Sequence, residues 1–459
     1  MWPTQPKSKS SNWPTPELMK PARWLADYGM ILVLVLLCAF FSAVTYSEQS
    51  PTGEAAARQV VEAVLKAVPK GARVLVVASD QPGDAAFAAR VERDLTAAGA
   101  RVLASATGEP RNAREALQKI QAAGGLLDAI AATRVAGGWR LITDLASDFP
   151  SLGSPRVITP ASYRWPNFLK SENLLNIANQ IAVIAIVAIG MTLVIITGGI
   201  DLSVGSLIAL SAVLAAGFIR DRAGGVTAST GGMVLGCLLA IVVCGAVGGF
   251  SGLMITRFAI PPFIVTLAMM LVGSGLAYIL AQGQSIYQIP DSFVWLGRGA
   301  DLFGLPNAVV LLLVLYALAQ VLMSRMKLGR YLYAVGGNAE AARLSGVPVR
   351  RVLLFAYVAS GLLAGLGGVI MASQLKSGSP TYGNMYELYV IAAVVVGGTS
   401  LSGGEGRMLG TLTGAFTIAV IQNGMNLTNV ESYTQKVVLG LVILGAVLLD
   451  KLRQGRWAR

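Results

Sequence analysis

Long apolar blocks, each close to the length of a membrane-crossing helix, alternate with short polar segments along most of this chain. A bilayer's hydrocarbon core is about 30 Å thick and takes about 20 residues of helix to cross. Ten blocks are candidate spans: 29–46, 177–197, 203–219, 232–256, 262–281, 306–324, 352–373, 387–401, 408–424 and 435–450. Some are short for a perpendicular helix. Glycines and polar residues interrupt the chain around 198–206, so the second and third spans read as a broken or re-entrant pair.

Between the first and second blocks the pattern changes. Residues 55–68, 85–98 and 112–123 have helical composition, with Asn112 as a cap, while 74–78 (VLVVA), 102–105, 129–133 and 139–143 read as short strands. Helices alternating with short apolar strands predict a small α/β domain with a parallel sheet, inserted after the first helix. Its expected bounds are 47–165. Roughly 90 residues suffice for a marginal core. The pattern matches half of a doubly wound domain, but no G-x-G-x-x-G follows a strand.

A polar, basic island, 329–348 (GRYLYAVGGNAEAARLSGVP), lies between two apolar blocks. Asn338 is placed to cap a helix N-terminus, and Glu340 sits in the first turn, where the helix dipole favours negative charge. Gly346 and Pro348 end the helix. That leaves 339–345, about two turns and roughly 10 Å. A capped helix this short, tied to a span on each side, suits docking against a partner chain.

Composition sharpens the picture. The 459 residues are 54% hydrophobic and 13% charged, with 52 glycines, as suits a polytopic α-helical membrane protein whose helices approach closely. A net charge of +12 would point to nucleic acid in a soluble chain. Here the basic residues belong to loops that hold topology, and no nucleic-acid partner is expected. With no histidine, a Ser-His-Asp triad, an H-E-x-x-H zinc site and a histidine proton relay are excluded. No metal site is expected. Cys38, Cys237 and Cys244 fall in apolar blocks and read as packing residues. No G-x-x-x-x-G-K-[ST] occurs, so the chain has no P-loop of its own.

Charge also orients the chain. With the N-terminus in the cytoplasm, Arg257, Arg325, Lys327, Arg330, Arg343, Arg350, Arg351 and Arg407 lie in cytoplasmic loops, against Arg220, Arg222, Arg298 and Lys376 in short opposite loops. The positive-inside rule then makes 1–28 and the tail 451–459 cytoplasmic, with 329–348. The insert lies outside. The first block, 29–46, reads as an anchor, because its charged lead-in is long and no A-x-A cleavage site follows.

Residues 198–205 (GGIDLSVG) and 397–404 (GGTSLSGG) share G-G-x-x-L-S-x-G and read as a parallel internal repeat. Paired glycines break a helix, and the Leu-Ser pair restarts it with the serine as cap. Gly198, Gly199, Ser203, Gly397, Gly398 and Ser402 are therefore candidates to shape a translocation path. Asp201 would cost on the order of 3 kcal/mol in mid-helix. It belongs at a helix end or beside a cavity, and capping and gating both stand open. Glu387 begins its block as a helix N-terminal carboxylate. Gln422, Asn423 and Asn426 cluster near one end of the ninth block, either to bind hydroxyls of a polar solute or to bond between helices. Asn423 joins the path candidates.

Longer blocks accompany these residues. NLLNIANQ (173–180), GMTLVIITGGIDLSVGSLIALSA (190–212), GRYLYAVGGNAEAARLSGV (329–347), ELYVIAAVVVGGTSLSGGEG (387–406) and GTLTGAFTIAVIQNGMNL (410–427) occur in order. On them, 166–450 resembles a permease subunit of the ribose-type, carbohydrate-uptake ABC importers. The resemblance implies an ABC-importer permease fold and import of a sugar or related polyol. It implies no enzymatic activity and no cofactor on this chain, with ATP and Mg on a cytoplasmic ATPase subunit. A periplasmic solute-binding protein and a second permease copy or paralogue are the other implied partners, in the bacterial inner membrane. Glu340-Ala341-Ala342 resembles the EAA loop that docks into the ATPase, which assigns Gly337, Asn338, Glu340, Ala341, Ala342, Arg343 and Gly346 to coupling. Two departures stand out: Tyr389 occupies a position where members commonly carry an acid, and ordinary members lack the insert or keep it as a short loop.

Two other readings compete. An ion-coupled secondary carrier of a small polar solute needs buried carboxylates, for which Asp201 and Glu387 are the candidates. A membrane-anchored sensor would read ligand through the insert, but the short C-terminal tail holds no output domain.

Overall fold

In the computed structural model, residues 20–457 are described, with side chains over 29–448. Residues 1–19 of the N-terminal segment and 458–459 of the tail, both expected in the cytoplasm, lie outside the described residues. The chain divides into two units, one of residues up to Thr45 together with those from Asn167, the other Tyr46–Pro166.

After α1 (Lys20–Val44) the smaller unit begins with β1 (Tyr46–Gln49) and ends with β6 (Tyr163–Pro166), its antiparallel partner, so its entry and exit strands lie side by side. Between them run α2 (Gly53–Ala67), β2 (Arg73–Ala78), α3 (Asp84–Ala97), β3 (Arg101–Thr107), α4 (Pro110–Ala122) and β4 (Ala129–Ala132). Three one-turn helices follow, α5 (Arg134–Gly137), α6 (Arg140–Thr143) and α7 (Leu145–Asp148), and then β5 (Arg156–Ile158). The last four strands of this series form a parallel sheet in the order β3-β2-β4-β5. Alternation along β2 serves two cores. Leu75 and Val77 pack with Leu117 and Ile120 of α4, and Val74 and Val76 with Val60 of α2 and Phe87 of α3. A strand covered on both faces reads as an unbroken apolar run.

Two local expectations change. In the expected strand 139–143, Arg140–Thr143 form α6 and Trp139 takes its cap position. Leu141 and Ile142 are buried on the α4 side, and a run this short has no period that separates helix from strand. Asn112 does not cap α4. The helix starts at Pro110, where the missing N–H costs nothing, and Asn112 Nδ2 donates to the Thr107 carbonyl at 2.7 Å.

The larger unit continues with α8 (Ser171–Ile196), α9 (Val204–Arg222), α10 (Thr230–Phe258), α11 (Pro262–Ala281), the one-turn α12 (Trp295–Arg298), α13 (Asn307–Arg325), α14 (Lys327–Gly337), α15 (Ala339–Leu344), α16 (Val349–Leu375), α17 (Tyr386–Val396), α18 (Met408–Leu427) and α19 (Ser432–Trp457). Six of these, α8, α9, α10, α11, α13 and α16, are long and apolar enough to cross a membrane, and shorter apolar helices cover 29–44, 386–396 and 432–448. These six long helices are fewer than the ten expected spans. α17 has 11 residues, about 16 Å of helix, and cannot cross about 30 Å by itself. The expected span 387–401 stops at Val396 because two glycines follow. Helix also extends through 327–337 as α14, where the sequence reading has only the short helix after it.

α8 sits at the centre, with nearly all of its apolar length buried. α10 and α16 cross on glycine. A Cβ on Gly248 would lie 2.2 Å from the Tyr357 carbonyl oxygen, and one on Gly361 would lie 2.3 Å from that of Cys244. Such close backbone approach holds helices together where lipid removes the hydrophobic drive between them. α11 turns outward, exposing Leu271 and Ile279, as a lipid-facing helix would. Cys38, Cys237 and Cys244 are free thiols.

In the smaller unit Arg73 forks onto Asp128, with Nε at 3.0 Å and Nη2 at 2.9 Å, and the Arg73 amide adds a third bond at 2.7 Å. These donors hold the Asp128 carboxyl below its usual range, the Arg73 side chain foremost. A lowered carboxyl contributes stability that is present above its unfolded pKa of about 3.9 and is lost as pH falls through the folded value. A fragment spanning Tyr46–Pro166 should therefore fold by itself and lose stability below about pH 4, and Asp128→Asn should flatten that acid-side loss in thermal unfolding scans. In the larger unit, Gly361→Ala should destabilise by about 1–3 kcal/mol through overpacking, seen as a lower melting temperature in detergent. Gly275→Ala on α11, where an added Cβ meets nothing within 4 Å, should leave it unchanged or raised.

Candidate functional site

α8 and α17 end with the same hydrogen bonds. After α8, the Gly198 amide donates to the Ile195 carbonyl (2.9 Å) and the Gly199 amide to Val194 (3.1 Å). After α17, the Gly398 amide donates to Val395 (2.8 Å) and the Thr399 amide to Val394 (3.1 Å). Gly198 (φ +81°) and Gly398 (φ +88°) take the left-handed conformation that ends a helix this way. The sequence repeat pairs Gly198 with Gly397, yet the backbone pairs it with Gly398, one residue further on. Gly397 serves a different need, since a Cβ there would lie 2.4 Å from the Gly410 carbonyl of α18.

Beyond the caps the two copies diverge. α9 restarts at Val204 with Ser203 in the cap position, but the Ser203 hydroxyl makes no cap bond and donates instead to Asp201 Oδ1 at 2.6 Å. No helix restarts at Ser402. Its amide donates to Ser400 Oγ at 3.2 Å, within a turn that reaches Met408 before α18 begins. The expected restart after the Leu-Ser pair is present in the first copy, without the serine's cap bond, and absent in the second. In the second, Gly403 and Gly404 at positive φ continue the turn.

Asp201 is 1% exposed. Oδ1 also accepts from the Ser203 amide (3.0 Å), and Oδ2 accepts from Ser360 Oγ of α16 (2.7 Å). Gly190 of α8 lies against the Ser360 backbone, where a Cβ would come within 2.7 Å of its Cα. Gly190 precedes the end of α8 by six residues, about 9 Å of helix. Residues 197–203 thus turn back along α16, which makes the break re-entrant. Glu387, half-buried at the start of α17, reaches the start of α9, where a Cβ on Gly205 would lie 2.3 Å from its Oε2. Tyr389 packs edge-on against Tyr386.

Both breaks meet the chain that enters α15. The Gly404 amide donates to the Ile196 carbonyl at 2.8 Å. A Cβ on Gly336 would lie 1.7 Å from that carbonyl oxygen and 2.5 Å from the Gly404 nitrogen. One on Gly403 would lie 2.9 Å from the Gly336 oxygen and 3.1 Å from the Gly198 Cα. Three segments therefore touch backbone to backbone. Gly337 follows, and then Asn338, whose side chain accepts from the Ala341 amide (2.9 Å) to cap α15. Gly346 at φ +81° follows its other end. The Arg343 guanidinium donates to Glu340 (3.1 Å) and holds its carboxyl below the usual range. Ala342 is the buried face of α15, while Leu344 is 78% exposed.

The structure thus brings Gly198, Gly199, Asp201 and Ser203 into one region with the turn that follows Gly397 and Gly398 and holds Ser402. Asn423 is elsewhere. It exchanges amide bonds with Asn173 of α8, at 3.0 and 2.8 Å, near the far end of α18, which is the helix-to-helix alternative. Gly336, Ser360 and Tyr357 join the region without having been singled out by sequence. The available signals were the glycine pair directly before the capped helix and two hydroxyls three residues apart in an apolar span. Among the described residues no group of three or more His, Cys, Asp or Glu is placed to hold a metal.

Residues 173–447 match the family described as branched-chain amino acid transport system / permease component. The chain is 42% identical over 293 residues to the ribose import permease protein RbsC of Escherichia coli (strain K12), covering 63% of this chain and 88% of that protein. It is 44% identical over 304 residues to RbsC of Bacillus subtilis (strain 168), covering 66% and 92%. It is 38% identical over 289 residues to the L-arabinose transport system permease protein AraH of Escherichia coli (strain K12), covering 63% and 85%. No solved structure matches the chain.

Gly336→Ala should pry the three segments apart and lower the melting temperature of the detergent-solubilised chain by about 2–8 °C, the equivalent of about 1–2 kcal/mol. Gly337→Ala, where an added Cβ meets nothing within 4 Å, should stay within about 1 °C of wild type.

Proposed function

Since this chain belongs to the ribose-type, carbohydrate-uptake family of ABC importer permeases, we propose that it is the membrane subunit of an ATP-driven importer for a sugar or related polyol, moved through α15 by a separate cytoplasmic ATPase. The observation that carries this reading is the junction at Gly336. A helix with an exposed leucine and both ends capped is joined, through glycines without side-chain padding, to both helix breaks. Displacement of Asn338 is transmitted to Ile196 and Gly404 because no flexible side chain lies between them to absorb it.

The partner drives the cycle by binding one arrangement of the permease better than the other. ATP and Mg belong to that partner, and this chain supplies the path and the lever. The re-entrant break at 197–203 and the turn at 397–406 shape the path, in a pair formed with a second copy or a paralogue. The names of the relatives, ribose and L-arabinose, favour a sugar as the solute. The ion-coupled carrier is disfavoured by the family to which the chain belongs.

α8 runs toward the α15 end. With α15 in the cytoplasm, the start of α8 and therefore Tyr46–Pro166 lie on the periplasmic side, where a solute-binding protein delivers its cargo.

Two measurements test this. Leu344→Ala removes an apolar contact worth about 2 kcal/mol and should weaken capture of the ATPase at least about tenfold, with uptake of radiolabelled D-ribose falling in parallel while the protein still inserts. Uptake that persists without any ATPase would sink the proposal. Arg343→Cys should react with an impermeant maleimide only in inside-out vesicles; reaction in intact cells would reverse the assigned orientation.

A further inference from the structure

α16 turns two hydroxyls toward the re-entrant break. Ser360 is fully buried and donates to Asp201 Oδ2 at 2.7 Å. Tyr357, three residues earlier and so on the same helix face, is fully buried as well, yet its Oη has no hydrogen-bond partner among the described residues. That oxygen sits beside the break, since a Cβ on Gly199 would lie 2.3 Å from it. Gly199 is two residues from Asp201.

A buried hydroxyl with no partner is unfavourable, and phenylalanine would fill the same volume without that cost. Asp201 supplies the matching acceptor. Each carboxylate oxygen accepts two bonds. Oδ1 has two, from the Ser203 amide and hydroxyl, while Ser360 is the donor on Oδ2. An idle donor and an acceptor with spare capacity therefore lie on two sides of the contact between α16 and the re-entrant break.

Connectivity links that contact to α15. α16 begins at Val349, with four residues between it and the end of α15 at Leu344, so a push on α15 reaches α16 directly. Tyr357 lies one turn closer to α15 than Ser360 does. Movement of α16 away from the α15 end carries the Tyr357 hydroxyl toward the depth of Asp201 and carries Ser360 past it. Packed elements shift between discrete arrangements of this kind.

We propose that Asp201 exchanges donors during transport, holding Ser360 in the arrangement seen here and Tyr357 in the alternate one. Tyr357 is then a positioning residue that stabilises the second arrangement, and Gly199 is glycine because a side chain there would block the hydroxyl. The proposal rests on α15 being the driven element.

The test compares Tyr357→Phe, Ser360→Ala and Ser203→Ala in the full chain, expressed with its ATPase and solute-binding protein. Thermal unfolding of the purified chain reads the resting arrangement, and radiolabelled D-ribose uptake, corrected for membrane abundance, reads the cycle. Tyr357→Phe should keep or raise the melting temperature while uptake falls about tenfold, the weight of one hydrogen bond to a charged group. Ser360→Ala should lower the melting temperature, because the resting bond is lost. Ser203→Ala removes only a local bond of the break and should leave the effect of Tyr357→Phe intact when the two are combined. Wild-type uptake by Tyr357→Phe would overturn the exchange. So would a lower melting temperature in that variant, which would mean that the hydroxyl is already bonded at rest. The importer reading is judged separately, by whether wild-type uptake needs the ATPase.

Discussion

A helix that stops inside packed protein cannot hand its last carbonyls to water, so another backbone must come close enough to take them. That requirement organises the larger unit. The Ile196 carbonyl is taken by the Gly404 amide, and Gly336 lies against the same oxygen at a distance that no Cβ permits. Glycine at these points is a steric necessity. From it follows the convergence of two helix breaks and the segment leading to α15, and from that convergence follows the idea that a movement at one is felt by the others.

Asp201 shows the other side of the same constraint. A carboxylate away from water is tolerated where donors replace its hydration. Here Ser203 supplies two and Ser360 one, with no arginine or lysine among the hydrogen-bond donors described. The arrangement is suited to a contact that must be made and broken, because trading one hydroxyl for another leaves no uncompensated charge at the end of the exchange. A buried ion pair would hold the break far more rigidly.

The smaller unit obeys different rules. Its strands alternate between two cores, its helices present amphipathic faces, and its charged residues pair at the surface, Arg73 with Asp128 among them. Its entry and exit strands pair with each other, which lets a folded unit occupy a single gap in a membrane chain.

Much was determined by the amino-acid order itself. Apolar block length separated membrane helices from the α/β insert, because burial in lipid and burial in a small core demand different periods. The capped helix at 339–344 was legible because Asn338 and Gly346 each act on their own immediate neighbours. The glycine repeat was legible as composition, but its register was not. Only the packed structure showed that Gly198 corresponds to Gly398, since Gly397 is held against Gly410 on a helix that follows it. Asn423 was paired with Asn173, 250 residues away, only by the packing of α8 against α18. Ser360, Tyr357 and Gly336 became part of the site only through contacts across more than a hundred residues of chain. Local chemistry is written in neighbouring residues, whereas the partner of a buried hydroxyl or a bare backbone is chosen by which helices cross, and that is settled only when the whole unit is packed.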